Sequence, residues 1–549
     1  MVLWGSSNFT RPLGTGHERV TTLHKMCLYL PKSTPMPRSL FFLLLLASLV
    51  LSDCQKMTPF QSFLAENGTQ YSLLVYNGQV LDGTGAPAVR ADILVRNDSI
   101  LFVGPVDTTL IAAEQVIDAK GQYVTPGFID THAHGDPLET PGFENFLAMG
   151  VTTICLGQDG DSPAVGDIRS WMQRVDSIGP GVNIVMFIGH GTLRELSGTA
   201  YKPIPAPQEM ARMEALLASA LDAGCFGMTT GLEYTPGTYA GDAELLALAK
   251  VVGQQGGLIM SHVRNEDNDS IEASLQELLR QGQYCNVQVS HLKVVYGKGE
   301  ERAEQILARL EEARQHTSFS VTADIYPYTA SYTGIGIVFP QWAKPPNDYE
   351  KVKRERRADL LEFLHQKVMA RNGPEATLFG TEPYAGKTLA QVSAEKGKAF
   401  EEVLLDIGPG GASGAYFVMD EALQARLLLD PHVMICSDGS PTMHHPRGYG
   451  SFAKIIQTYV EEKELLPLPE AVRKMTSLPA QTLGLPGRGL IKPGYYADLL
   501  VFDPQKVKAK ATFSEPHQLG EGIDWVVANG KVAFQKGQWK ARQGKVLRR

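Results

Sequence analysis

The 549-residue chain is poor in cysteine, with six, at 27, 54, 155, 225, 285 and 436. They are too few and too scattered to be the disulfide framework of a small secreted fold. Four of them sit in apolar, strand-like strings, where a buried reduced thiol is expected. The chain also lacks a basic run or stripe. Its 51 Lys+Arg against 59 Asp+Glu leave a net charge of -8, which argues against a nucleic-acid partner. No apolar stretch approaches the ~20 residues that cross a bilayer as a helix. With 43% hydrophobic and 20% charged residues, 54 Gly and 33 Pro, the composition excludes a disordered, collagenous or coiled-coil chain. What remains is a globular protein with one large domain and attachments, or two to four smaller domains.

The longest apolar run, LFFLLLLASLVL at 40–51, follows Arg38 and precedes Cys54. Charged, then apolar, then small is the order of a secretory signal. Residues 1–54 therefore read as an N-terminal extension and signal peptide, with Met36 as the start of the signal itself. LSDC resembles the lipobox of bacterial lipoproteins, with Cys54 as the lipidated residue, although Asp53 stands where a small neutral residue is usual. The expectation is an exported protein, periplasmic or lipid-anchored at a bacterial membrane, with residues 55–70 as a tether.

From 71 to 124 the pattern is of short alternating strands with turns, as in SLLVYNGQVLDGTG and ADILVRNDSILFVGP. A matching block returns at 488–549 in GLIKPGYYADLLVFDP and WVVANGKVAFQKGQW. Two β-rich ends flanking a long middle predict one small β-sandwich built from both. The middle, 125–487, holds eight short apolar strings with amphipathic helical stretches between them. They are GFIDTHAH (127–134), VTTICLGQD (151–159), NIVMFIGH (183–190), FGMTTGL (226–232), GLIMSHVR (257–264), NVQVSHLK (286–293), VTADIYPY (321–328) and VMICSDGS (433–440). Strand–helix alternation implies parallel strands with right-handed crossovers, and eight repeats imply an α/β fold closed as a (β/α)8 barrel. Residues 329–432 are too many for one connection and must form an insertion over the barrel mouth.

Six of the eight strings end in histidine, aspartate or a polar pair. His132 and His134 close the first, Asp159 the second and His190 the third. His262, His291 and Asp438 lie near the ends of the fifth, sixth and eighth. In a barrel these ends share one face, where active sites are built. His132 and His134, two apart on a strand, point to the same side. Converging imidazoles and carboxylates form a site for a first-row metal, with zinc the natural occupant.

The strings TPGFIDTHAHGD, GVTTICLGQDG, GHGTLR, FGMTTGLEYTPG, MSHVRNED, VQVSHLK, TADIYPYTAS, GKTLAQV, SDGS…HHPRGYG and PGYYADLLVFDP together resemble the amidohydrolase superfamily, in its N-acyl-D-amino-acid deacylase (D-aminoacylase-like) branch. That resemblance implies a distorted barrel with a small β-sandwich built from both ends. It implies one or two zinc ions held by His132, His134, His262 and His291, with Asp438 as ligand and proton shuttle. It assigns Lys293 and Arg447 to the substrate carboxylate and places Tyr234, Tyr326 and Tyr328 in motifs lining the pocket. One position departs. The family's second strand usually ends GNCG, with the cysteine a ligand, whereas here Asp159 stands in Gly157-Gln158-Asp159-Gly160. A carboxylate can replace the thiolate and bridge two ions, but it is a harder donor. Cys155 is the alternative, since strand alternation could give it the same face.

The expected reaction is hydrolysis of a linear amide, an N-acyl-D-amino acid giving a carboxylate and a D-amino acid, by metal-activated water with Asp438 moving the proton. The runner-up keeps the metal and takes dipeptides containing a D-residue, or a cyclic amide. A third reading is a non-catalytic, metal-holding lipoprotein. His190 and His445 read as partners that fix loop geometry, and Glu233 and Arg264 as residues near the mouth.

Overall fold

Each short apolar string becomes a strand buried on both faces. The computed structural model describes residues 57–549, so the expected signal segment and Cys54 lie outside the described residues. The eight strands are Phe128–Asp130, Val151–Leu156, Asn183–Met186 (continued as Ile188–Gly189), Gly227–Gly231, Leu258–His262, Asn286–Val289, Val321–Ile325 and Val433–Ile435. Every ladder between them is parallel. The amphipathic stretches between strands are helices such as Pro207–Asp222 and Ile271–Gln281. They bury Met213, Leu217 and Leu221 in the first and Leu275 and Leu278 in the second. The eighth strand meets the first only beyond its regular end. Ala133 bridges Gly439, Asp438 N donates to His132 O at 2.8 Å, and His134 N donates to Gly439 O at 2.7 Å.

The barrel is distorted at its third strand, which breaks at Phe187. The lower half, Asn183–Met186, pairs with the second strand on one edge and with Val546–Leu547 on the other. The upper half, Ile188–Gly189, pairs with the fourth strand. The chain's last residues were expected in the β-sandwich. They enter the barrel instead because the break leaves an edge that Val546, itself buried, can cover.

Both ends of the chain do build one sheet. Leu499–Phe502 runs antiparallel to Tyr123–Pro126, joining Ile523–Ala528 and Lys531–Gln535 to Gln70–Val80, Val89–Arg96 and Ser99–Gly104. The sheet has nine strands and folds over a core of Leu73, Ile93, Ile117, Val124, Leu499 and Val527. Residues 55–70 were expected to be a tether. Instead Pro59–Asn67 is a helix, and the first strand starts at Gln70. Thr58 and Gln61 explain this: Thr58 N donates to Gln61 Oε1 at 2.9 Å and Gln61 N to Thr58 Oγ1 at 3.1 Å, a reciprocal cap that starts a helix.

The insertion has its own core, including Ile335, Phe339, Leu360, Leu364 and Leu404. Its sheet is Ala330–Gly334, Ser413–Phe417 and Thr377–Phe379, all antiparallel. It ends sooner than 432, because helix Glu421–Leu429 buries Leu423, Leu427 and Leu428 in the main barrel core. Residues 63–549 form one unit; of the unit before it, Met1–Ser62, residues 57–62 are described. Among the described residues no helix is long and apolar enough to cross a membrane.

Candidate metal centre

Two buried aspartates below the barrel mouth fix the backbone that carries the site. Asp130 Oδ1 accepts from His132 N at 3.1 Å and Ser437 N at 3.0 Å, tying the first strand to the eighth. Burial pushes this carboxyl up to about 7. Asp324 accepts from Thr131 Oγ1, Gln288 Nε2 and His291 N, tying the first, sixth and seventh strands together. Above them, Asp159, His291 and Asp438 leave their strands with φ of 54°, 36° and 49°. Left-handed backbone is uncommon for residues with a side chain and persists where the surroundings impose it. At Asp159 the surroundings are glycines: a Cβ on Gly231 would lie 1.9 Å from Asp159 O, and one on Gly157 would lie 2.1 Å from Phe187 O.

His132, His134, Asp159, His262, His291 and Asp438 meet at this point. His132 Nε2 lies 3.3 Å from Asp159 Oδ1 and 3.7 Å from Asp438 Oδ1. His134 Nε2 lies 3.1 Å from Asp438 Oδ1 and 3.6 Å from Asp159 Oδ2. His291 Nε2 is 3.3 Å from Asp159 Oδ1, and His262 Nδ1 is 3.0 Å from His291 Nε2. His134 and Asp159 face the open cleft and the other four residues are buried, yet the buried atoms His132 Nε2 and Asp159 Oδ1 have no hydrogen-bond partner. Buried polar atoms rarely stay unsatisfied, and a convergent set of them suits a cation. Burial lowers His132 below its ordinary value. Burial and Lys293 also depress His291, but Asp438 and Asp159 outweigh them and hold it up at about 10. Cys155 is not part of this set. It packs with Ile129, Val185 and Phe187, and burial raises its thiol well above the ordinary range.

Beside this set lies a second one, His262, Glu266 and His291, of similar composition. Here the charge is supplied by the chain itself. Lys293 Nζ sits 2.6 Å from Glu266 Oε1 and 2.7 Å from His291 Nδ1. Burial depresses the Lys293 ammonium, but Glu266 holds it well above its usual value, and Lys293 keeps the Glu266 carboxyl well below its own. His262 Nε2 meets Glu233 Oε2 at 3.1 Å.

The expected substrate contacts divide. Lys293, Arg447, Tyr326 and Tyr234 line the narrow part of the cleft, which narrows to about 20 Å³. Arg447 NH1 pairs with Asp438 Oδ2 at 2.7 Å. Burial raises the Asp438 carboxyl, but Arg447 and His291 hold it well below the carboxylate range. The Tyr326 hydroxyl is buried with no partner, and burial pushes it up to about 12. Tyr328 does not line the clefts at the mouth. It packs against His445 and Phe513, with Lys454 over its ring at 4.3 Å. His445 Nε2 meets Ala330 O at 3.1 Å, and His190 Nε2 meets Glu244 Oε1 at 2.7 Å in a buried cluster with Arg194, so both are structural. Arg264 is held by Glu277.

Three supporting residues were not singled out in the sequence. Asp130 and Asp324 stand in quoted strand strings, two residues before His132 and Tyr326, where a buried aspartate is a signal. Glu266 follows His262 by four in MSHVRNED. From the centre a polar cleft of about 450 Å³ opens past His134, Asp161, Thr192 and Glu195. An apolar one of about 640 Å³ opens past Tyr234 between Ile337, Tyr349 and Ile407.

A family model described as the amidohydrolase family matches residues 400–534. The N-acyl-D-glutamate deacylase of Alcaligenes xylosoxydans xylosoxydans is 34% identical over 503 residues, spanning 87% of this chain and 96% of the relative. The D-aminoacylase of the same organism is 32% identical, over 87% of this chain and 98% of its own. Among solved structures, the N-acyl-D-glutamate deacylase of Bordetella bronchiseptica, complexed with zinc and a phosphonate mimic of the tetrahedral intermediate, superposes with a TM-score of 0.76. It is 32% identical, and the match covers 87% of this chain and 100% of that one. The (β/α)8 barrel, the two-ended β domain and these relatives place the chain in the amidohydrolase superfamily: it is a hydrolase of the D-aminoacylase branch.

Proposed function

We propose that the chain is a zinc-dependent deacylase that splits N-acyl-D-amino acids into a carboxylate and a D-amino acid. The reading rests on one observation above the others: His132 Nε2 and Asp159 Oδ1 are buried without partners and cluster with His291 and Asp438, with His134 3.1 Å from Asp438 and His262 3.0 Å from His291. These six residues would hold one or two ions. The donors are all nitrogen and oxygen, a set that suits zinc. A bound ion supplies Lewis acidity, polarising the amide carbonyl and acidifying water.

The chain's own groups do the rest. Asp438 accepts the proton of water and returns it to the leaving nitrogen. Its Oδ1 faces the histidines, while its Oδ2 is held by Arg447. The cations Lys293 and Arg447, with Tyr326 and its unpartnered hydroxyl beside them, form the seat of the substrate carboxylate. Arg447 lies 4.9 Å and Lys293 6.0 Å from the Tyr326 ring centre. A carboxylate bound there shares the Arg447 guanidinium with Asp438. That weakens the hold on Asp438 and raises its proton affinity as substrate arrives. The two open clefts suit the two arms of a small amide. The run at 40–51 after Arg38 supports export, and Cys54 a lipid anchor at a membrane.

The test is a panel of N-acetyl-D- and N-acetyl-L-amino acids, with D- and L-dipeptides, assayed on zinc-loaded protein and followed by release of free amine. Turnover of the N-acetyl-D series alone is expected. Turnover confined to dipeptides or to L-substrates would replace the reading.

A further inference from the structure

Besides its histidines, the narrow cleft is lined by one lysine and two arginines, and two of these three have counter-ions. Lys293 has Glu266 and Arg447 has Asp438. The third, Arg371, has none among the described residues. It follows helix Arg357–Ala370 of the insertion, is 3% exposed, and lines the cleft beside Lys293 and Arg447. Its Nε is buried without a hydrogen-bond partner, and it forms no ion pair with any described carboxylate. Its guanidinium lies 5.0 Å from the Tyr416 ring centre and 6.0 Å from that of Tyr296.

A guanidinium cannot escape burial by losing its proton. A buried one without an anion is costly unless a ligand supplies the charge. Apart from the metal-centre aspartates Asp159 and Asp438, the acids lining the cleft are engaged elsewhere: Glu266 with Lys293, Asp267 with Lys367 at 3.6 Å, Glu233 with His262 at 3.1 Å. The rings of Tyr416 and Tyr296 flank the guanidinium, whose forked N–H groups match a planar, two-oxygen partner. That partner is a carboxylate, and it is a second one, because the seat made by Lys293, Tyr326 and Arg447 takes the first.

We propose that Arg371 receives a side-chain carboxylate, so that the preferred substrates are N-acyl-D-amino acids with an acidic side chain. This rests on the deacylase reading. Arg371 is a specificity-determining residue that binds substrate away from the scissile bond, and it comes from the insertion rather than from a barrel strand.

The experiment compares kcat/KM for N-acetyl-D-glutamate and N-acetyl-D-glutamine, which have the same shape but differ by one charge. It uses zinc-loaded wild type, Arg371→Met and Arg371→Lys. Wild type is expected to favour the glutamate by about 100-fold or more. Arg371→Met should collapse that ratio toward one, and Arg371→Lys should keep part of it. A purely packing role would slow both substrates alike and leave the ratio unchanged, which overturns the proposal. Should Arg371→Met fail to fold, wild type still decides. A wild-type ratio near one, or product inhibition by D-glutamine as strong as by D-glutamate, also overturns it. Wild type that hydrolyses neutral N-acetyl-D-amino acids but not the glutamate sinks the role of Arg371 alone. Wild type inert to every N-acetyl-D-amino acid sinks the deacylase reading beneath it.

Discussion

Two clusters of histidine and carboxylate lie side by side at the barrel mouth, and composition alone would not tell them apart. One gathers His132, Asp159, His291 and Asp438, the other His262, Glu266 and His291. In the second, Lys293 already stands among the donors, 2.6 Å from Glu266 and 2.7 Å from His291. In the first, buried donor atoms are left without partners. What separates the two is whether a cation of the chain stands among the donor atoms and occupies them. A buried carboxylate needs a compensating cation: Lys293 meets that need for Glu266 and Arg447 meets it for one oxygen of Asp438, while Asp159 pairs with no lysine or arginine among the described residues.

The largest effect should come from the open cluster. Asp438→Asn keeps the shape and removes the proton acceptor, so kcat should fall by about 10³. Steady-state kinetics with matched zinc loading checks this, and a fall under tenfold would move the proton shuttle elsewhere. Asp159→Ala should weaken zinc binding by about 100-fold, read by competition with a chromophoric chelator. An unchanged affinity would remove Asp159 from the ligand set.

The filled cluster offers the sharper contrast. Lys293→Met leaves Glu266 buried and unpaired, which should cost about 3–5 kcal/mol of stability in chelator. Added zinc should recover part of the loss, since Glu266, His262 and His291 then lack their internal cation. Denaturant melts with and without metal measure it, and a variant as stable as wild type would mean that Lys293 is not the counter-charge.

A smaller effect concerns protons. Without an ion, His291 holds its proton up to about pH 10, because Asp159 and Asp438 outweigh burial and Lys293. Metal must displace that proton, so raising the pH favours binding below about 10, and affinity should climb about tenfold per pH unit from this group. Calorimetry in buffers of different ionisation enthalpy should find about one proton released at neutral pH. Zero release would mean that His291 is already neutral. Smallest of all, Tyr326→Phe should raise KM by about tenfold, the value of one hydrogen bond to a charged group, with kcat nearly kept.

Much of this was legible in the sequence. Short apolar strings with polar ends give the barrel strands and the side chains at their tips, because a parallel strand buried on both faces has no other pattern. His132, His134, Asp159, His262, His291 and Asp438 were all found that way. The rest depends on packing that no local pattern encodes. Pairing of Val546–Leu547 with the third barrel strand follows from a break at Phe187 visible only in the folded chain. Tyr328 shares its motif with Tyr326 but turns away from the cleft. Glu266 and Lys293 come from different loops, and their contact, which decides what the second cluster is, exists only in three dimensions. Arg371 gave no sequence signal, since a lone arginine at a helix end in an insertion looks like any solvated one.

The most direct test is equilibrium dialysis against a chelator, followed by titration with zinc while hydrolysis of an N-acetyl-D-amino acid is measured. Turnover should vanish with the ion and return in step with the first zinc bound, and Asp159→Ala should need far more zinc for the same recovery. Full turnover in protein shown by elemental analysis to be free of metal would contradict the account.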